Sequence, residues 1–430
     1  LTSTDGVFIG PLYYYLLVPF FLVWQMDLAG MVYFPILLGV LTTASYYYVF
    51  KEVLNRRVGL IAAFLHGVMI TPVMIDRWAV PTVTMALWSV WYLHGLLRVA
   101  RGQFDSLWLL GVLLALTWHV QLSLLPLVFL IPLAIYWSRK NPSKRDWLKF
   151  GALALIFSLP LLLFEVRHGF SQAKALVLAA TGSSTQGEVG LTKFVTVVEM
   201  VDRNLTRFLV HLAILPKFLI SAVFALVAFR LVKRKMIMER EAKIGVFWFG
   251  LVVAAFTLNH KGVSEYYFHS FDVWYLMVLA VGIAWLWEAK RGLASVLIVA
   301  IFGVNLYWLA TFGYNPTGYR EKTAIIEFLK GSISENNFPC VSISYIVDPG
   351  ANVGFRYLFW QHGIRLTKVG SGAPIYTIVM PWWYSPDAVA VKYGQIGLIL
   401  PEKVENEETI KGACSGENTN LTESMLGFVN

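Results

Sequence analysis

Charged residues are scarce in this chain of 430 residues. Asp, Glu, Lys and Arg together make up 14% of the sequence, and hydrophobic residues make up 57%. The mean hydropathy is +0.62. Soluble domains carry about 25% charged and about 45–50% apolar residues. The composition therefore excludes an ordinary soluble enzyme, and it is far too apolar for a disordered chain.

Several nucleotide and metal motifs are missing from the sequence. There is no Walker loop, no dinucleotide-binding glycine fingerprint, no HExxH and no CxxC. This argues against a nucleotide-driven pump, an NAD enzyme and a zinc protease, so we expect no nucleotide cofactor. The net charge of +9 does not indicate nucleic-acid binding, because the basic residues cluster between apolar runs. We also find no convincing internal repeat.

Cysteine is nearly absent. Cys340 and Cys414 are the only two, and both lie in the C-terminal region. A pair in one domain can form a disulfide if that domain faces an oxidising compartment. Two unpaired thiols fit the sequence equally well.

Apolar runs of the length needed to cross a bilayer, about 18–20 residues, recur along the chain. Basic clusters separate them, and the positive-inside rule places those clusters in the cytoplasm. Consecutive clusters must then be joined by an even number of crossings. The clusters are Lys51/Arg56/Arg57, Arg98/Arg101, Arg139/Lys140/Lys144/Arg145/Lys149, Arg230/Lys233/Arg234/Lys235/Arg240/Lys243 and Lys290/Arg291.

This parity argument predicts about ten crossings. One run, 107–137, must turn back on itself, so we divide it near residues 118–121. The run 11–24 is short and holds Pro11 and Pro19, which favours an amphipathic or re-entrant segment at the outer face. The other predicted spans are 31–50, 58–75, 82–100, 148–164, 208–230, 244–258, 271–287 and 292–311.

The rest of the chain is expected outside the cytoplasm. Residues 165–207 read as a long polar outer loop. A second domain, 314–430, follows the membrane domain, 1–313. Within it, 320–330 is predicted as an amphipathic helix, and 341–346, 375–380 and 396–400 as strands. The predicted fold is an all-α polytopic membrane protein with an interfacial segment and a small extracytoplasmic α/β domain.

Ionisable side chains near the membrane are costly and tend to mark function. In this topology they collect at the outer ends of the spans. Arginine and lysine there suit the phosphate of a lipid headgroup, and a carboxylate can accept a proton or hold a divalent metal. The residues concerned are Asp5, Asp76, Arg77, His119, Gln121, Glu165, Arg167, His168, Lys261, Glu265 and His269.

Each of these residues also has a structural interpretation. Asp76 and Arg77 can form a plain interfacial ion pair, and His119 and Gln121 can satisfy each other at a tight turn. Lys261 can be an ordinary loop lysine. Three ionisable groups within 165–168 are harder to explain structurally.

Four outer segments, in order, resemble the integral-membrane glycosyltransferases of the C-type fold, which include the protein mannosyltransferase and aminoarabinose transferase relatives. They are GPLYYYLL at 10–17, DRWAVP at 76–81, FEVRHGF at 164–170 and SEYYF at 264–268. The resemblance covers about residues 1–311. It implies transfer of a sugar from a polyprenyl-phosphate donor to an acceptor at the outer face of the plasma membrane, with a divalent metal as a possible cofactor.

The outer polar residues and the resemblance together give the candidate site. Asp76 and Asp5 are the candidates for catalysis, and Asp5 is not equated with the family's leading acidic motif. The candidates for substrate binding are Arg77, His119, Gln121, Glu165, Arg167, His168, Lys261, Glu265, Tyr266 and Tyr267. The partners implied are the lipid-linked sugar, an unidentified acceptor and the bilayer.

The sequence departs from the family in two places. The family's leading acidic motif follows its first transmembrane helix, and we expect both to precede Leu1. Some members have an acidic residue directly before the proline of the second outer loop, whereas Val80 precedes Pro81 here. Two other functions stay open: a lipid or polysaccharide transporter, and a non-catalytic assembly subunit of the cell envelope.

Overall fold

A computed structural model of the chain describes residues 9–181, 190–210, 216–259, 262–312, 314–348 and 350–419. The chain divides into two compact units. The first takes in the chain up to Ala310 except Met26–Leu28. Those three residues belong with Thr311–Asn430 in the second unit.

The first unit is helical throughout its described parts. Short 3-10 helices connect several of the α-helices, at Pro81–Thr84, Phe104–Ser106, Leu122–Phe129 and Glu265–Phe271. The α-helices are α1 (Leu12–Val23), α2 (Gly30–Val53), α3 (Arg56–Val68), α4 (Ile70–Ile75), α5 (Met85–Ala100), α6 (Leu107–Val120), α7 (Leu130–Ser138), α8 (Lys144–Arg167), α9 (Ser171–Thr181), α10 (Gly190–Leu209), α11 (Leu219–Lys233), α12 (Glu239–Leu258), α13 (Asp272–Ala289) and α14 (Arg291–Phe312).

Within the described ranges, five helical segments are long and apolar enough to cross a membrane. They are Gly30–Val53, Lys144–Arg167, Glu239–Leu258, Glu265–Ala289 and Arg291–Thr311. The run 107–137 is interrupted as predicted: α6 ends at Val120, and Gln121 is extended (φ −171°, ψ 127°). Leu122–Phe129 then continues as a 3-10 helix that holds Pro126. The number of crossings remains a prediction.

The helix α1 corrects one expectation. It is apolar around its whole circumference, with Tyr15, Leu22 and Val23 exposed, so it is not amphipathic. Its 12 residues span about 18 Å at 1.5 Å per residue, against about 30 Å for the hydrocarbon core. A re-entrant or interfacial placement remains the prediction for this segment.

The segment 165–207 is not one long loop, because α9 and α10 occupy most of its described part. Buried Val197, Leu205 and Phe208 line one face of α10. The hydropathy of this helix is low because its other face is polar. The predicted span 208–230 is also wrong at its start, since Leu209 ends α10 and α11 begins at Leu219.

The core of the first unit forms around α13. This helix is apolar on all sides, which is typical of a helix surrounded by protein, and it packs against α3 and α11. Tyr46 of α2, Leu65 of α3 and Leu276 of α13 are fully buried in this core. In contrast, α8 and α14 are mostly exposed and lie at the edge of the bundle.

Ion pairs gather where α3 begins and where α5 and α13 end. Arg57 pairs with Glu288 at 2.7 Å, and Arg98 pairs with Glu52 at 2.6 Å. Arg101 contacts Glu241 at 2.7 Å, and this glutamate is only 1% exposed. The predicted basic clusters are therefore partly neutralised by acidic neighbours. We refer to this end of the bundle as the basic end.

The second unit is a small α/β domain. Its helices are α15 (Tyr319–Glu335), α16 (Phe355–Gln361) and α17 (Glu407–Ala413). Its strands are β1 (Val341–Val347), β2 (Leu366–Thr367), β3 (Ile375–Met380), β4 (Val391–Tyr393) and β5 (Ile396–Ile399). The sheet order is β2-β1-β3-β5-β4, with β1 parallel to β2 and β3, and β5 antiparallel to β3 and β4. The predicted helix at 320–330 and the three predicted strands are confirmed.

A disulfide joins Cys340 to Cys414, with the two Cα atoms 5.6 Å apart. Cys340 lies just before β1, and Cys414 follows α17. The bond therefore holds the last described helix against the start of the sheet. Of the two alternatives for the cysteines, the disulfide is correct.

Loss of this disulfide should destabilise the second unit. The bond closes a loop with a sequence separation of 74 residues, and a loop of that size is worth about 2–4 kcal/mol through the restricted unfolded chain. Cys340→Ala and Cys414→Ala should each lower the urea midpoint for proteolysis of residues 314–419. Dithiothreitol should lower the wild-type midpoint to the same value. An unchanged midpoint after verified reduction contradicts this expectation.

Candidate active site

Asp76 lies at the end of a broken helix. The helix α3 stops at Val68, Met69 is extended, and α4 begins at Ile70. A helix start leaves backbone N–H groups without partners. Here the side chain of Asn305 accepts the N–H of Ile70 at 2.8 Å. This bond fixes the break, and α4 then carries Asp76 to the end of the bundle opposite the basic end.

The carboxylate of Asp76 faces an imidazole. Asp76 Oδ2 is 3.9 Å from Nε2 of His66, whose side chain is 2% exposed. The hydroxyl of Thr43 lies 2.9 Å from the carbonyl of Gly39 and 2.9 Å from Nδ1 of His66. These contacts fix the orientation of the imidazole ring. They leave its Nε2 as the ring nitrogen that faces Asp76.

The backbone of α2 approaches this pair closely at Gly39. A Cβ atom at that position would lie 2.5 Å from Oδ2 and 2.9 Å from Cβ of Asp76. Only glycine leaves room for the carboxylate there. Tyr46, two turns further along α2, places its ring beside that of His66, with 4.9 Å between centroids and the planes tilted by 37°.

A second acid, Asp272, lies at the start of α13. His269, on the 3-10 helix just before it, approaches Asp272 Oδ2 with Nδ1 at 3.2 Å. Asp272 is near enough to interact electrostatically with Asp76 and Tyr46. Among the described residues, three buried atoms of this region have no hydrogen-bond partner: Asp272 Oδ1 and the hydroxyls of Tyr46 and Tyr275. Such buried, unpaired polar atoms are uncommon and suit a ligand.

Burial raises the pKa of the Asp76 carboxyl to about 7, and the negative charge of Asp272 adds to the increase. The side chain is 16% exposed, so a substrate can still reach it. A carboxyl with a pKa near neutrality is suited to accept a proton and return it under physiological conditions.

A preassembled metal centre is not evident. In the part of the chain that the structure describes, no three His, Cys, Asp or Glu side chains cluster as ready metal ligands. Mg²⁺, however, is often held by one or two carboxylates together with substrate phosphates. Asp76 and Asp272 fit that partial set.

The structure separates several other predicted site residues from this cluster. Arg77 is exposed, with Nη1 3.7 Å from the sulfur of Met74. His119 and Gln121 are buried at the end of α6, where His119 Nδ1 lies 3.4 Å from the N–H of Leu12. This contact holds the start of α1. Asp5 and Lys261 lie outside the described residues.

Glu165 has a structural role. Its carboxylate accepts the backbone N–H groups of Gln172 at 3.2 Å and Ala173 at 3.0 Å, which caps the start of α9. Arg167 is exposed. His168 stacks on Phe164 with ring centroids 4.0 Å apart, and its Nδ1 contacts the carbonyl of the same residue.

The segment before α13 binds two arginines that the sequence analysis missed. Glu265 pairs with Arg203 at 3.3 Å and with Arg207, both on α10. The two arginines are a helical turn apart and more than half exposed. The hydroxyls of Tyr266 and Tyr267 lie 3.4 Å apart, and Tyr267 stacks on Phe256. The two arginines together carry one more positive charge than Glu265 can neutralise.

His66 and Asp272 were missed because they lie inside apolar runs that read as ordinary spans. His269 was noted among the outer polar residues but was not assigned a role. A charged residue inside a span is itself a signal of function, and Asp272 is such a residue. The spacing of Arg203 and Arg207 on one face of an amphipathic helix was a further usable signal.

Comparison with known proteins places the fold. No known family profile matches the chain, and no curated protein matches it in sequence. Its structure is similar to ArnT from Cupriavidus metallidurans bound to undecaprenyl phosphate, with a TM-score of 0.54 and 10% identity over 92% of this chain and 88% of ArnT. It also matches the Archaeoglobus fulgidus oligosaccharyltransferase AglB, in complex with an inhibitory peptide and a dolichol-phosphate, at TM-score 0.41 and 14% identity. That match covers 87% of this chain and 62% of AglB.

Substitution of Gly39 should disturb the cluster. Gly39→Ala places a methyl group against the carboxylate of Asp76, and overpacking of this kind costs about 1–3 kcal/mol. We expect a lower midpoint of thermal unfolding in detergent. Gly151→Ala on α8 is the matched control, because its Cβ would meet nothing within 4 Å. Equal midpoints for the two variants would disprove the close approach.

Proposed function

Because the chain has the C-type glycosyltransferase fold, we propose that it transfers a sugar from a polyprenyl-phosphate donor to an acceptor at the outer face of the plasma membrane. The ArnT structure contains a lipid of this class, undecaprenyl phosphate. The chain is then a multi-pass membrane enzyme whose second unit is extracytoplasmic. Its acceptor is a molecule that carries a hydroxyl group.

The observation that carries this proposal is the buried carboxylate pair, Asp76 and Asp272, within that fold. Asp76 combines partial exposure with a pKa raised by burial to about 7. It is the group best suited to take the proton of an acceptor hydroxyl. As the new glycosidic bond forms, the bond between the anomeric carbon and the phosphate oxygen breaks, and the lipid phosphate leaves.

His66 and His269 act as positioning residues. His66 presents Nε2 to Asp76, and Thr43 fixes the orientation of its ring. His269 holds one oxygen of Asp272 and leaves the other free. Each carboxylate therefore has an imidazole beside it.

Exposed arginines can bind the phosphate of the donor. Arg203 and Arg207 carry one more positive charge than Glu265 neutralises, and guanidinium groups bind phosphate oxygens in a planar fork. Arg77 follows Asp76 directly and is exposed. Arg167 remains a candidate on the strength of the sequence motif.

A divalent cation is compatible with this arrangement. Asp76 and Asp272 would hold it together with oxygens of the donor phosphate. It would supply positive charge to the leaving phosphate. Asp76 would still be available to orient the acceptor.

Two features support an outer-face site. The cluster lies at the end of the bundle opposite the basic end, and the positive-inside rule puts basic loops in the cytoplasm. The second unit contains a disulfide, which persists in oxidising compartments.

Transfer should depend on ionised Asp76. A raised carboxyl pKa means that Asp76 is mostly protonated below pH about 7 and ionised above it. The transfer rate should therefore rise as the pH increases through about 7. Asp76→Asn should lower it at least about 100-fold, the usual contribution of a general base. The measurement is release of labelled sugar from polyprenyl-phosphate sugars in proteoliposomes.

Asp105→Asn is the matched control, because Asp105 is exposed and paired with Arg98 at the basic end. It should leave transfer intact. If folded wild-type protein consumes none of a panel of polyprenyl-phosphate hexoses, hexosamines and pentoses, the transferase proposal fails. Transport or envelope assembly then becomes the better explanation.

Asp272 should tune the acid limb of the pH profile. Its negative charge raises the pKa of Asp76, so Asp272→Asn should move the rise in rate to a lower pH. The same proteoliposome assay between pH 5 and 8 measures this shift. If the rate of the variant rises over the same pH range as that of the wild-type protein, the two carboxylates do not interact.

A further inference from the structure

The second unit contains a cavity of about 380 Å³. Asp348, directly after β1, and Pro381, directly after β3, both line it. The cavity therefore lies at the carboxyl ends of two adjacent parallel strands. Its volume falls within the range of small-molecule sites, about 300–1,000 Å³.

This position is the switch point of the sheet. The chain leaves β1 through α16 toward β2, on one side, and leaves β3 toward β4 and β5, on the other. Outgoing connections that diverge in this way open a crevice between the two strands. Open α/β sheets bind their ligands in that crevice.

Polar groups from three elements converge on the cavity. Asp348 offers carboxylate oxygens, and Tyr384 fixes one of them by donating its hydroxyl at 3.0 Å. Gln395 brings an amide from the start of β5. Its backbone is held on both sides, because its N–H donates to Pro316 O and its carbonyl accepts from Trp382 N, both at 2.8 Å. The site is therefore built rather than incidental.

One wall of the cavity is bare backbone. Gly350 lies in the turn after β1 with φ +87°, a conformation that favours glycine. Ala351 follows it and also lines the cavity. A ligand can approach the main chain closely on this side.

The charges favour a neutral ligand over an anion. Lys322 lines the cavity, but its ammonium already donates to Val353 O at 2.6 Å and lies 5.1 Å from the ring centroid of Phe355. Burial lowers the pKa of this lysine, which weakens its hold on an anion further. The carboxylate of Asp348 would repel a phosphate or a carboxylate.

An aromatic side chain lies beside the cavity. Tyr384, whose hydroxyl donates to Asp348, is about half exposed. Aromatic faces carry partial negative charge and an apolar surface, which matches the C–H face of a sugar ring. Carboxylate and amide groups inside the cavity match its hydroxyl groups.

From this arrangement we propose that the cavity between β1 and β3 binds a neutral sugar unit of a glycan. Asp348 and Gln395 bind its hydroxyl groups, and the ring of Tyr384 covers its apolar face. The site is distinct from the Asp76 cluster and does not depend on the transfer reaction. It gives the second unit a recognition function of its own.

The test is saturation-transfer difference NMR on the whole protein in detergent. The probes are free glucose, mannose, galactose and N-acetylglucosamine, with inorganic phosphate as a competitor. Wild-type protein should saturate the ring protons of at least one sugar. Asp348→Asn and Ala351→Trp, which fills the cavity, should each reduce that signal at least about fivefold. Asp387→Asn, an exposed acid of the same unit, is the control and should retain it.

Asp76→Asn distinguishes this site from the proposed active site. That variant should lose transfer and keep the sugar signal. Asp348→Asn should keep transfer and lose the signal of the free sugar. The proposal is overturned if no sugar is saturated, or if Asp348→Asn and Ala351→Trp, both folded by circular dichroism, bind like wild type. Displacement of the sugar by phosphate would overturn it in favour of an anion site at Lys322.

Discussion

Burial of negative charge in an apolar bundle is the constraint that organises the first unit. An unpaired ionised carboxylate away from water costs several kcal/mol, so each buried acid must be matched. Some are matched by an arginine or by backbone N–H groups. These are Glu241 with Arg101, Glu165 with the start of α9, and Asp202 with the N–H of Phe218 and the hydroxyl of Ser221. Asp76 and Asp272 face imidazoles instead.

That difference lies in the charge of the partner. A guanidinium carries a fixed positive charge, whereas an imidazole is charged only when it is protonated. Asp76 and Asp272 therefore lack the permanent positive charge that Arg101 gives to Glu241. Buried backbone groups also need partners, as the break between α3 and α4 shows. A helix can stop at Met69 within an apolar bundle because the amide of Asn305 satisfies the N–H exposed at Ile70.

The sequence predicted those features that depend on local pattern. Alternation predicted β1, apolar runs predicted β3 and β5, and the parity of the basic clusters predicted an interruption near Gln121. Charge between apolar runs singled out Asp76, whose role stays a prediction. The strands β2 and β4 have two and three residues, so their pairing rather than their composition defines them. α10 was missed because its two faces average to low hydropathy. Asp272 could not be predicted as a partner of Asp76, since it comes near only through the packing of α13 against α3. His66 precedes Asp76 by ten residues, and the break between α3 and α4 decides whether the two side chains meet.

The edge strands of the sheet in the second unit affect how readily the protein aggregates at high concentration. A long, bare edge strand is a template for pairing with another molecule. Here both edges are very short: β2 is Leu366–Thr367, and β4 is Val391–Tyr393 with the exposed, charged Lys392 at its centre. Copies crowded on a membrane surface therefore have little free edge through which to aggregate.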